Sequence, residues 1–115
     1  MESLCRLSES LVNADRRVLG IVLFGSLARG DYGRRSDADL LVWLRSPCRE
    51  RPVDRIPTYL RAFLDAPVPV DVFPFTAEEL GQRLDQGSPF WRRVRDEVLL
   101  LAGRTPPMFA ETIGG

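Results

Sequence analysis

Residues Gly25–Val42 read GSLARGDYGRRSDADLLV, with a Gly-Ser pair at one end and an acidic pair, Asp37 and Asp39, near the other. Apolar runs flank the stretch, Leu19–Phe24 before it and Leu40–Leu44 after it. The nearly unbroken apolar run Val18–Phe24, rich in Val and Ile, has the length and chemistry of a buried strand. Gly25 breaks that strand, and Ser26 can cap a short turn over Leu27–Arg29. Gly30–Ser36 is a polar loop of mixed charge. Asp37–Leu44 then reads as a second strand, with its two aspartates on one face at its start.

Working outward, Leu4, Leu7 and Leu11 recur at helical spacing and predict a helix over residues 3–16. Ser46–Asp54 is a loop marked by two prolines. Ile56, Tyr59, Leu60, Phe63 and Leu64 mark a helix, with Pro57 placed in its first turn. Val68–Phe75 alternates as a strand, with Val68, Val70, Val72 and Pro74 on one face and Asp71, Phe73 and Phe75 on the other. Thr76 followed by Glu79 is a capping box, so a helix runs from there to about Gln86 and stops at Gly87. A further helix is expected over Ser88–Arg95 and a last strand over Glu97–Ala102. The order is that of an α/β (α+β) fold: a small mixed β-sheet with helices on one face. Residues 1–103 form one domain, and 104–115, with two prolines and two terminal glycines, form a tail that is flexible or docks on a partner.

The bulk composition narrows the function. The chain has 115 residues, 44% hydrophobic and 28% charged, which suits one globular domain. Its 16 basic and 16 acidic residues cancel. Nothing therefore favours long-range capture of long nucleic acid or of an anionic membrane, although a nucleotide needs only local positive groups. The basic residues are all arginine, so neither a histidine base nor a Schiff-base lysine is available. General-base work and metal ligation fall to carboxylates, which favour hard cations such as magnesium. Cys5 and Cys48 are too few for a disulfide framework. With neither a signal pattern nor a membrane-spanning run, the expected location is the cytoplasm.

The acids and the Gly-Ser pair together suggest phosphoryl-transfer chemistry. Residues two apart on a strand share a face, with Cα atoms roughly 6–7 Å apart, so Asp37 and Asp39 can converge. Asp71 is a polar residue in an apolar setting, and if its strand neighbours theirs it completes a cluster of three carboxylates. Three such anions repel one another unless cations neutralise them. Two divalent ions about 4 Å apart would do so and would align an attacking oxygen with a leaving phosphate. Gly25 permits close approach of backbone to a phosphate, the turn at Ser26 points N–H groups at an anion, and Arg29 can meet a phosphate oxygen.

Gly-Ser, ten residues, then Asp-x-Asp resembles the nucleotidyltransferase motif of the DNA polymerase β superfamily. The wider GSLARG…SDADLLV resembles the minimal nucleotidyltransferase (MNT) family, over about residues 18–102. The resemblance implies a polymerase β palm-like core. It implies that Gly25 and Ser26 hold nucleotide phosphates, that Asp37 and Asp39 bind magnesium, and that Asp71 binds metal and helps activate the acceptor. It implies ATP as donor, with AMP transferred and pyrophosphate released. At this size the family resembles the antitoxin half of HEPN/MNT pairs. The expected partner is then a helical HEPN ribonuclease toxin, or another copy of the chain, supplying the wall this short chain lacks.

The rival readings are an antitoxin that acts by occupancy alone and a small-molecule enzyme of the aminoglycoside-modifying kind. Residue by residue, Asp37 and Asp39 compete with a solvated strand start, Asp71 with an edge-strand charge that blunts aggregation, and Ser26 with a plain helix cap. Arg29 can equally pair with a nearby acid.

Overall fold

The computed structural model describes residues 2–24, 38–87 and 98–109. In chain order they form helix α1 (Glu2–Ala14), strands β1 (Val18–Phe24) and β2 (Ala38–Leu44), helix α2 (Pro52–Leu60) continued by a 3₁₀ turn (Arg61–Phe63), strand β3 (Val70–Thr76), helix α3 (Ala77–Asp85), strand β4 (Val98–Gly103) and a second 3₁₀ turn (Pro107–Phe109). Among the described residues the strands make one sheet in the order β3-β2-β1-β4. β1 runs antiparallel to β2 and β4, while β2 and β3 are parallel and joined through α2. The expected small mixed sheet with helices is the architecture found.

The two central strands carry the continuous apolar runs because both of their faces are covered. On one face Ile21, Leu23, Leu40, Val42 and Val72 pack with Leu4 of α1, Tyr59 of α2 and Phe63. On the other, Val22, Phe24, Leu41 and Phe75 pack with Leu80 and Leu84 of α3 and with Phe109. This corrects the one-sided arrangement of helices. The sign was in β1 and β2, since a strand with one wet face alternates and these do not.

Two further expectations change. α2 begins at Pro52, four residues before the apolar periodicity, so Pro57 lies inside the helix rather than in its first turn. Pro52 presets the first helical φ and Arg51 pairs with Asp54 at 3.0 Å, but Val53 is 60% exposed. A first turn that buries little apolar surface has no periodic signature. Leu64, the last residue of the expected stripe, is 77% exposed beyond the 3₁₀ turn. The chain after Gly103 also packs further than expected. Arg104 donates its N–H to the Leu19 carbonyl at 2.9 Å, and Pro106 and Phe109 are fully buried. This return path needs Gly20, where a Cβ would collide with the Arg104 carbonyl, and Gly103, whose φ is +76°.

The α3 capping box forms as read. Thr76 Oγ1 accepts from the Glu79 N–H at 3.3 Å, and Glu79 Oε1 accepts from the Thr76 N–H at 2.8 Å. Gly87 follows the helix at φ 69°. The expected turn at Leu27–Arg29, the helix over Ser88–Arg95 and the end of the tail lie outside the described residues.

Candidate active site

The sheet register sets the site. Phe24 on β1 pairs with Asp39 on β2, and Asp39 pairs with Asp71 on β3. Register partners on neighbouring strands point to the same face, about 4.8 Å apart along the row. The parallel pairing of β2 with β3 is therefore what brings together two acids 32 positions apart in the chain. Asp39 is half-buried and Asp71 is exposed. Both lie on the side of the sheet opposite Ala38, Leu40 and Val72, whose side chains belong to the α1–α2 core.

Apolar groups form the floor beside them. One step along the strands lie Leu41, 1% exposed, and Phe73, its partner on β3. The Phe24 and Phe73 rings meet at 5.3 Å between centroids with their planes tilted by 55°. Next along β3, Phe75 is buried under the Arg83 guanidinium, which stacks 4.4 Å from its ring centre. Two carboxylates held side by side on one face repel each other, and a bound cation would relieve the repulsion.

Of the expected site residues, the structure describes Asp39 and Asp71 and makes them neighbours. Gly25, Ser26, Arg29 and Asp37 lie outside the described residues. Among the described residues no three potential ligands gather into a metal group. Carboxylate oxygens from two adjacent strands nonetheless suit a hard divalent cation, and in that respect the donor set fits magnesium.

A second polar cluster, with no single-sequence signal, sits at the far end of β3. Arg55 of α2 is 4% exposed. Its Nη1 donates to Glu79 Oε1 at 2.7 Å and to the Pro74 carbonyl at 2.9 Å; Nη2 donates to Glu79 Oε2 at 3.1 Å and to the Cys48 and Glu50 carbonyls. Burial alone would push the Glu79 carboxyl up, but the Arg55 hydrogen bonds and the Thr76 N–H hold it below its ordinary value. The cluster ties the 48–50 loop, α2, β3 and α3 together. With both terminal guanidinium nitrogens of Arg55 engaged within the protein, its role is architectural. A hollow of about 540 Å³ lined by Leu60, Phe63, Leu64, Val68 and Val70 offers no charged side chain to a phosphate.

Residues 4–96 match the family described as "Nucleotidyltransferase domain". The chain belongs to this nucleotidyltransferase domain family. Two solved structures share the fold of this nucleotidyltransferase domain. An inferred nucleotidyltransferase from Sulfolobus solfataricus, solved as a crystal structure, superposes with a TM-score of 0.61 at 23% identity, over 88% of this chain and 78% of that one. A crystal structure described as a toxin-antitoxin with AMP-PNP superposes with a TM-score of 0.53 at 21% identity, over 98% and 83% respectively. Among curated protein sequences none matches the chain. Among the described residues no helix is long and apolar enough to cross a membrane.

Proposed function

We propose that this nucleotidyltransferase domain transfers AMP from ATP to a hydroxyl of a partner protein, in the manner of an MNT-type antitoxin acting on a HEPN toxin in the cytoplasm. The observation that carries the reading is the Asp39–Asp71 register pair, two carboxylates on one face above an apolar floor. Family membership supports nucleotidyl transfer, and the toxin-antitoxin structure with AMP-PNP supports a nucleotide and a protein partner.

In this reading Asp37, Asp39 and Asp71 hold magnesium, two ions in the full site. When bound, these would neutralise the phosphate charge and lower the cost of the developing negative charge on the leaving group. The residues of the chain do the rest. Gly25 and Ser26 hold the β- and γ-phosphates through backbone N–H groups and the hydroxyl, and Arg29 meets a phosphate oxygen. Asp71, the exposed acid on the edge strand, takes the proton from the acceptor hydroxyl. The acceptor oxygen bonds to the α-phosphorus while the bond from that phosphorus to the bridging oxygen breaks, and pyrophosphate leaves with that oxygen. The β2–β3 pairing keeps Asp71 in fixed relation to Asp39, one of the acids that would hold the metal, so the reacting groups start near their attack geometry.

The test is to incubate the chain with ATP labelled at the α-phosphate, Mg2+ and the protein encoded beside it, then locate the label. Label on a partner hydroxyl is expected. Full neutralisation of the partner without any label would favour occupancy alone. Label on an added aminoglycoside in place of the protein would favour small-molecule modification.

A further inference from the structure

Phe73 was legible in the sequence as a strand residue sharing a face with Asp71, and its part in the fold is to pack against the Phe24–Phe109 core. Its placement gives it a second part. β1 and β3 are separated by β2, and Phe24 is in register with Asp71, so the backbones of Phe24 and Phe73 stand two strand spacings across and two residues along, roughly 11–12 Å apart. Their rings nevertheless meet at 5.3 Å. Both side chains therefore lean across β2, on the face that carries Asp39 and Leu41. The contact forms a bar that runs obliquely from Phe24, in the row of the acids, to Phe73, in the row of Leu41. Phe24 is 1% exposed, whereas Phe73, beside the exposed Asp71, is only half-buried. The ring of Phe73 is thus the partly exposed end of the bar.

We propose that Phe73 is a positioning residue for the carboxylate pair. The bar takes up space toward Leu41, so Phe73 limits how far the Asp39 and Asp71 carboxylates can turn from the positions in which they would hold a cation. The role rests on the metal-site reading above, and its test keeps the two apart.

The readout is thermal unfolding at fixed ATP with Mg2+ titrated in, for wild type, Phe73→Ala, Phe73→Leu and Phe75→Leu. A ligand that binds only the native state raises the melting temperature, and the dependence on concentration gives the half-saturating Mg2+. Truncating a group that orients metal ligands typically costs about tenfold or more in metal affinity, which is the shift expected for Phe73→Ala. Phe73→Leu, which keeps apolar bulk, should recover part of it. Phe75→Leu, one pleat further from the acids on the same strand and face, should lower the melting temperature yet leave the half-saturating Mg2+ at the wild-type value. If Phe73→Ala keeps the wild-type value, the positioning role is overturned while the metal site stands. An equal weakening in Phe75→Leu would likewise overturn it, because the effect would then be general loss of packing. A wild-type chain with no Mg2+ response would overturn the metal-site reading and this role with it.

Discussion

Asp39→Asn is expected to lower nucleotidyl transfer by about 10³-fold or more at saturating ATP and Mg2+, measured as α-labelled phosphate transferred per minute, because in the proposed site it removes a carboxylate that would hold the metal against the phosphates. Asp39 is the inner member of the row, half-buried between Phe24 and Asp71, so water cannot fully replace it. The melting temperature of the variant without metal is measured alongside the transfer rate. The combination separates a site residue from a structural one. Asn at a position whose role was structural would lower the melting temperature and leave transfer per folded molecule unchanged.

The second large effect concerns the fold. Arg55→Met leaves Glu79 without its partner and strips donors from the Pro74, Cys48 and Glu50 carbonyls. Breaking such a buried pair costs about 3–5 kcal/mol, which for a chain of this size is a fall in melting temperature of roughly 10–20 °C. The effect depends on pH in a definite direction. The folded-state pKa of Glu79 is lowered, so the stability it contributes is complete above the ordinary carboxylate range and is lost as pH falls through that lowered value. The difference between wild type and Arg55→Met should therefore be largest near neutral pH and shrink as pH falls through that lowered value, down to what the lost carbonyl hydrogen bonds cost. Urea unfolding across that range checks it, and a constant difference at every pH would contradict the assigned role of the pair.

These two clusters also mark what a single sequence can and cannot disclose. Strand β1 was readable to the residue, because a strand buried on both faces is apolar at every position. The alternation of β3 placed Asp71 and Phe73 on one face, and the structure agrees, with Val72 in the opposite core. The α3 capping box was readable because its chemistry is local, three residues apart. That Asp39 and Asp71 are register partners was conditional on which strands are neighbours, and pairing is decided by the whole sheet. Arg55 and Glu79 lie 24 positions apart, and nothing local distinguishes Arg55 from the 15 other arginines. The first turn of α2 was missed because Val53 faces solvent, and the packing of Phe109 because one aromatic in a Pro-rich stretch has no periodicity. Gly25, Ser26, Arg29 and Asp37 rest on the motif and its resemblance.

In the proposed function, metal and nucleotide meet at the Asp39–Asp71 row. Crystals of the chain grown with Mn2+ and a non-hydrolysable ATP analogue test it directly, through the anomalous scattering of manganese. The expected result is a manganese peak with an Asp39 carboxylate oxygen at about 2.1 Å and the analogue's phosphates beside it. Nucleotide and manganese bound elsewhere, with the Asp39 carboxylate left unligated at saturating concentrations, would contradict it.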